Sequence, residues 1–190
     1  MNNYYPVALV ASLVAVIVVL ALIVMRRRRS DIDNLLRAIG VDSMRDILLP
    51  DGMGGQIHLQ HVLLTAKGLV VLDIKTVKGM VFAGDRMDEW TVIGGAQRFS
   101  IPNPQPALYN RVAALKALAR DVPVAGHVLF FPDADFSKGR PADVIFPDEL
   151  QAHYGKPEKA ELERLAEAFC PHWERVQEAS EPAGRATNSV

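Results

Sequence analysis

Cysteine is almost absent from the sequence, because Cys170 is the single cysteine among 190 residues. One cysteine cannot form an internal disulfide or provide a cysteine-based zinc site. The five histidines are dispersed, and no histidine–cysteine cluster has the spacing of a zinc site. These absences are the ones expected of a chain that folds in the reducing cytoplasm.

Positive charge is also scarce once one cluster, Arg26 to Arg29, is set aside. All 22 acidic residues lie after this cluster with 17 of the 21 basic ones, so residues 30–190 carry a net charge of about −5. A strong non-specific grip on nucleic acid normally needs a basic face. The composition therefore argues against such a grip, and the four arginines are better explained by anionic lipid headgroups.

Charge is missing altogether between Pro6 and Met25, in the run PVALVASLVAVIVVLALIVM. This run is long enough to cross the hydrocarbon layer of a membrane as a helix. A cleavable signal peptide would carry its positive charge before the apolar run, whereas here the arginines follow it. We therefore predict a permanent single-pass anchor in the inner membrane of a bacterium, with the N-terminus outside and the remaining chain in the cytoplasm.

The composition divides the chain into one anchored domain and its flanking segments. Small residues within the apolar run would let two such helices approach closely, which indicates a homo-oligomer formed through the membrane. These residues are Ala8, Ala11, Ser12 and Ala15. The predicted segments are a short outer N-terminus (1–5), a transmembrane helix (6–25), a basic linker (26–30), a folded domain (31–178) and a disordered tail (179–190).

The pattern of apolar residues after the arginines predicts an α/β domain. A helix is expected to start at Ser30, and two β runs, QIHLQHVLLT and GLVVLDIK, are joined by TAKG as an antiparallel hairpin. Three shorter strands follow, and then the helix ALYNRVAALKALAR, the strand VPVAGHVLFF, the weaker strand DVIF and two further helices. This order predicts one mixed sheet flanked by helices.

An acid and a lysine end the second strand of the hairpin. Asp73 and Lys75 are two residues apart, so both side chains leave the strand on one face while Ile74 points the other way. A carboxylate beside an ammonium group at a strand end suits metal-assisted phosphodiester hydrolysis, with the carboxylate binding a divalent ion and the lysine orienting water. A solvated pair of charges at a strand terminus is the alternative.

The spacing around this pair resembles that of the nuclease-related domain (NERD) family, a branch of the PD-(D/E)xK nuclease-like superfamily. The resemblance covers roughly residues 46–131 and includes an Asn-Pro pair before a helix. The matching positions are His61, Gly68, Asp73, Lys75, Gly79, Gly84, Trp90, Asn103 and Pro104. The resemblance implies a restriction-endonuclease-like fold, catalytic roles for Asp73 and Lys75, a Mg²⁺ or Mn²⁺ cofactor, and DNA or RNA as a partner.

Two positions depart from the family pattern. Gln60 stands where the family has a metal-binding aspartate, and an amide oxygen lacks the negative charge that favours a hard cation. The glutamate of the first helix has no counterpart except Asp31 or Asp33. The implied site therefore consists of Asp73 and Gln60 as metal ligands, with His61 and Asp33 behind them.

The sequence is compatible with two functions. The first is a membrane-anchored, metal-dependent nuclease with a degenerate metal site. The second is a catalytically inactive, membrane-tethered module that binds nucleic acid or another protein, and Gln60 together with the acidic net charge favours it.

Overall fold

The computed structural model describes residues 4–155 and 159–185, and its backbone forms two compact units, residues 1–37 and residues 38–190. Helices α1 to α4, strands β1 to β10 and one 3-10 turn follow along the chain. The elements are α1 (Tyr4–Ile39), β1 (Asp42–Pro50), β2 (Gln56–Thr65), β3 (Gly68–Lys75), β4 (Gly79–Phe82), β5 (Glu89–Gly94), β6 (Gln97–Pro102), α2 (Gln105–Leu118), β7 (Val124–Phe130), β8 (Ala134–Asp135), β9 (Val144–Ile145), α3 (Pro147–Tyr154), α4 (Lys159–Ala179), β10 (Glu181–Pro182) and the turn Ala183–Arg185.

Helix α1 is continuous from Tyr4 to Ile39. The predicted helix start at Ser30 is therefore wrong, because the arginines before it are good helix formers and no glycine or proline interrupts them. The side chains of residues 4–13, 25 and 27–29 lie outside the described part of the chain. Over what is described, no helix is both long and apolar enough to span a bilayer, and the transmembrane helix over 6–25 stays a prediction.

The larger sheet has six strands in the order β10-β1-β2-β3-β7-β9 and is mixed. The predicted hairpin is confirmed, since β2 and β3 pair antiparallel with Thr65 opposite Gly68. Gly68 has a φ of +113°, and a Cβ there would lie 2.2 Å from the carbonyl oxygen of Pro123. Glycine is therefore required at this turn. Strands β3 and β7 then pair in parallel along seven residues, from Leu69 to Lys75.

A second sheet of four strands, in the order β6-β5-β4-β8, makes the domain different from the single sheet predicted. It arises because two parallel strands leave the first sheet together: β4 follows β3, β8 follows β7, and β4 pairs with β8. Gly79 lies at this bend with a φ of +111°, where a Cβ would meet the carbonyl oxygen of Ile93 at 2.2 Å. The α/β class with mixed strand pairing is confirmed.

Helix α2 packs against β3, which carries both the acid and the lysine, and against the neighbouring strand β7. Its buried residues Leu108 and Leu115 belong to the core that also contains Val128 and Phe130 of β7. The helix approaches β7 closely at Gly126, where a Cβ would lie 2.5 Å from the side chain of Val112. This close approach places the first two turns of α2 over the end of β3.

The chain after residue 178 differs from the disordered tail predicted for residues 179–190. Glu181 and Pro182 pair with Leu48 and Ile47 of β1, and a 3-10 turn follows. Composition alone does not indicate that residues 181 and 182 pair with β1, because the pairing depends on the free edge of β1, which is far away in the sequence. Residues 186–190 lie outside the described range.

Candidate functional site

A cavity of about 380 Å³ opens where β3 leaves the six-stranded sheet. Three segments form its walls: the end of β3 with the link to β4, the end of β6 with the link to α2, and the first two turns of α2. We call it the Asp73 cavity. Its lining residues are Asp73, Ile74, Lys75, Thr76, Val77, Ile101, Pro102, Asn103, Pro104, Ala107 and Arg111.

Asp73 and Lys75 both line this cavity, as their shared strand face predicts. Asp73 is buried, with 3% of its surface exposed, while Lys75 is half-buried at the mouth of the cavity. The strand is fixed by its parallel partner, because Asp73 and Lys75 pair in register with Val128 and Phe130 of β7. The acid and the lysine are therefore held on a central strand that is paired with β7 as far as Lys75.

Arg111 brings a second positive charge to the cavity. Its Nη1 donates a hydrogen bond to Oδ2 of Asp73, and its Nε donates to the carbonyl oxygen of His58 at 2.7 Å. Burial raises the pKa of Asp73 above its ordinary value, and the charges of Arg111, Lys75 and His58 oppose that rise. The cavity thus has one negative and two positive side chains, a net charge of about +1.

Arg111 was not among the site residues predicted from the sequence. Pro104, Ala107 and Arg111 are spaced three and four residues apart, which places them on one face of a helix. Pro104 precedes that helix in the family-like Asn-Pro pair. The spacing could have indicated Arg111 as a site residue. The sequence does not show, however, that this face of α2 turns toward β3.

Gln60 is close to the pair but is not one of the residues that line the cavity. Its Oε1 accepts a hydrogen bond from the backbone N–H of Ile74 at 2.6 Å. The ladder between β2 and β3 ends at His61 and Leu72, so the amide of Gln60 continues the pairing where backbone bonds stop. The amide oxygen that the family resemblance assigns to a metal ion is engaged with β3 instead.

The two remaining candidates are placed differently from Asp73. His61 is buried and pairs with Leu72, so its side chain lies on the sheet face opposite to that of Asp73. His61 therefore does not line the Asp73 cavity, because one residue along a strand reverses the face. Asp33 lies in α1, within the unit formed by residues 1–37.

The Asn-Pro pair has a structural role at the edge of the cavity. Asn103 Oδ1 accepts the backbone N–H of Gln105 at 2.9 Å, and its Nδ2 donates to the carbonyl oxygen of Met87 at 2.8 Å. Gln105 is buried and donates from Nε2 to Asp85 at 2.8 Å and to Asp143 at 3.0 Å. These bonds fix the start of α2 and thereby the direction in which Arg111 projects.

The donor set limits the kind of metal ion that the site could hold. Asp73 is the only carboxylate among the lining residues, and over the described part of the chain no three His, Cys, Asp or Glu side chains are grouped to hold a metal ion. Mg²⁺ is commonly bound through one or two carboxylates together with substrate phosphates. The residues therefore fit a cation that shares its coordination with a phosphate, and they do not fit one held by protein groups alone.

The comparison with known families agrees with this arrangement. The sequence model of NERD, the nuclease-related domain, matches residues 27–131, more than half of the chain. The chain belongs to the nuclease-related domain family. The match is consistent with the PD-(D/E)xK-like superfamily and begins before residue 46, so the end of α1 is part of the NERD region. No curated protein and no solved structure matches the chain.

Proposed function

We propose that this protein is a membrane-anchored member of the nuclease-related domain family that binds nucleic acid in the Asp73 cavity and hydrolyses its phosphodiester bonds with Mg²⁺ or Mn²⁺. The observation that carries the proposal is that Asp73, Lys75 and Arg111 line one cavity. A buried carboxylate beside two cationic side chains is suited to a phosphate group and its metal ion, and it is a poor site for a neutral ligand.

Each side chain has a distinct part in this reaction. Asp73 would hold the cation, and the phosphate of the substrate would complete the coordination. Lys75, on the same strand face, would orient the attacking water. Arg111 would bind the phosphate and stabilise the charge that develops on its oxygens. A metal ion bound there would supply a water of lowered pKa and polarise the phosphoryl oxygen.

The direct test is cleavage by the full-length protein of single- and double-stranded DNA and RNA with Mn²⁺ present. Asp73→Asn and Lys75→Met should each reduce the rate roughly hundredfold or more, because each removes a charge at the reacting group. Lys78→Ala is the matched control, since Lys78 is exposed just beyond β3 and pairs only loosely with Asp133 at 3.7 Å. Equal rates for all four proteins would reject Asp73 and Lys75 as catalytic residues.

The second candidate function is binding of nucleic acid without cleavage. Two observations favour it: Arg111 contacts the carboxylate that a metal ion needs, and Gln60 carries no charge and is bonded to Ile74. Under this alternative the parent protein binds DNA or RNA but does not cleave it. Gln60→Asp would then create metal-dependent cleavage by supplying the acid typical of the family. Cleavage by the parent protein at the level of this variant would exclude the alternative.

The membrane anchor is supported by the charge-free sequence from Pro6 to Met25 and by the four arginines after it. This segment would hold the domain at the inner face of the membrane as a single-pass or self-associating helix. Crosslinking in membranes, repeated with Ala11→Leu and Ala15→Leu, tests the association. Loss of the crosslinked dimer in both variants supports a helix–helix contact, and an unchanged dimer places the contact elsewhere.

A further inference from the structure

We infer that Arg111 exchanges between Asp73 and the phosphate of nucleic acid, so that the divalent cation and the phosphodiester bind the cavity together, each strengthening the other. This inference rests on the function proposed above. It adds a dependence between the two ligands, in which the protein's own arginine weakens the binding of metal ions when no nucleic acid is present.

The first step in the argument is competition for one carboxylate. Asp73 is the only carboxylate that lines the cavity, and Arg111 Nη1 is bonded to its Oδ2. A divalent cation that approaches Asp73 competes with this guanidinium for the carboxylate and also meets the positive charge of Lys75. Without an added negative charge, binding of the cation is therefore opposed by both side chains.

The second step concerns what holds Arg111 when it leaves Asp73. Its Nε donates to the carbonyl oxygen of His58 at 2.7 Å, a contact that is independent of the carboxylate. The Arg111 side chain is 22% exposed, whereas that of Asp73 is only 4% exposed. The guanidinium can therefore remain anchored on β2 while its outer N–H groups turn toward a ligand in the open part of the cavity.

The third step is the match between this guanidinium and a phosphate. Arginine presents five N–H donors in a planar fork that binds phosphate oxygens in pairs. A phosphodiester in the cavity would draw the fork from Asp73, and the freed carboxylate would become a cation ligand that the phosphate completes. The cation and the phosphate therefore favour each other, and thermodynamic reciprocity requires the same factor for both, on the order of tenfold.

The test uses the full-length protein in detergent, Mn²⁺ as the cation and a short single-stranded oligothymidylate as the phosphodiester, at one fixed pH. Arg111→Ala should bind Mn²⁺ roughly tenfold more tightly than the parent when no oligonucleotide is present, while binding the oligonucleotide more weakly. These two changes have opposite signs, and a loss of folding cannot produce the gain. Arg111→Lys keeps the charge without the fork, so it should retain weak Mn²⁺ binding and lose the mutual strengthening.

Arg120→Ala is the matched control, because it removes a positive charge from the exposed end of the α2 region and should leave both affinities unchanged. If the parent binds both ligands but Arg111→Ala binds Mn²⁺ no more tightly, the exchange is refuted while the proposed function stands. If the parent binds neither ligand, singly or together, the proposed function fails and the exchange fails with it.

Discussion

Asp73 and His127 are ionisable side chains on neighbouring strands, and they lie on opposite faces of the six-stranded sheet. His127 pairs in register with Leu72, one residue before Asp73, which puts it on the other face. Each lines a cavity, of about 380 Å³ for Asp73 and about 250 Å³ for His127. The two cavities therefore lie beside neighbouring strands, β3 and β7, and differ in how the ionisable side chain is satisfied.

Asp73 is satisfied by a charge, whereas His127 is satisfied by a neutral partner. His127 Nε2 is 2.8 Å from the hydroxyl of Tyr154, and the charged pair in its cavity, Arg140 and Glu149, is already matched at 2.7 Å. The Asp73 cavity instead retains an excess positive charge from Lys75. A cavity whose charges are paired gives an ionic ligand no net electrostatic attraction. The net positive charge of the Asp73 cavity is instead complementary to an anion such as a phosphate.

The largest effect on stability should come from breaking the charged pair. Arg111→Ala leaves the buried carboxylate of Asp73 without its counter-charge, which should lower the free energy of unfolding by about 3 kcal/mol. Denaturant unfolding followed by tryptophan fluorescence measures this, because Trp90 and Trp173 are both buried. The double variant Asp73→Asn, Arg111→Ala should recover a large part of the loss. A double variant as unstable as Arg111→Ala would mean that Arg111 acts mainly through packing.

A smaller effect is expected on the other face of the sheet. Tyr154→Phe removes the hydroxyl bonded to His127, which should cost about 1–2 kcal/mol because a partly buried ring nitrogen loses its partner. The same fluorescence titration measures the change. If Tyr154→Phe lowered the free energy of unfolding as much as Arg111→Ala, the charged pair on one face would not be more important for stability than the neutral pair on the other.

The third prediction concerns pH. Burial lowers the pKa of His127 below its ordinary 6.5, with His153 contributing to the fall and Asp143 opposing it. The unfolded chain then binds the proton more readily, so the stability contribution is complete above pH 6.5 and is lost as the pH falls through the folded value. Replacing His127 with Gln should flatten the pH dependence of unfolding between pH 7 and pH 5. His172→Gln, on α4, is the control. If the free energy of unfolding changes with pH in the His127→Gln variant as it does in the parent, His127 is not the source of the pH dependence.

The smallest effect is expected from Arg120→Ala. Arg120 is exposed, and its Nε only weakly contacts the carbonyl oxygen of Ala117 at 3.4 Å. Its loss should change the free energy of unfolding by less than about 0.5 kcal/mol. A larger change would show that the charge of Arg120, just after α2, contributes to stability.

The sequence was most informative where local pattern alone decides the structure. The bounds of β2 and β3 match the predicted runs, because their apolar pattern ends at turn residues and Gly68 is required by the hairpin. The shared face of Asp73 and Lys75 followed from strand geometry for the same reason. The second sheet was not predicted, because it depends on the pairing of β4 with β8. That pairing starts at Gly79, where the chain bends away from β3.

The site was predicted less completely than the strands. Gln60 lies next to β3 as expected, but the use of its oxygen by the N–H of Ile74 depends on where the β2–β3 ladder stops. Arg111 shares a helix face with Pro104 and Ala107, but this spacing alone does not say which element the face packs against. Only the packing of α2 over β3 decides that it meets Asp73.

The short strand β10 has a practical consequence for the opposite end of the large sheet. It pairs with β1, whose outer backbone groups would otherwise face solvent along that border. Unprotected strand borders recruit strands from other molecules and lead to aggregation. A chain shortened to residue 178, the domain limit that composition suggests, would therefore retain the Asp73 cavity but lose its safeguard against self-assembly.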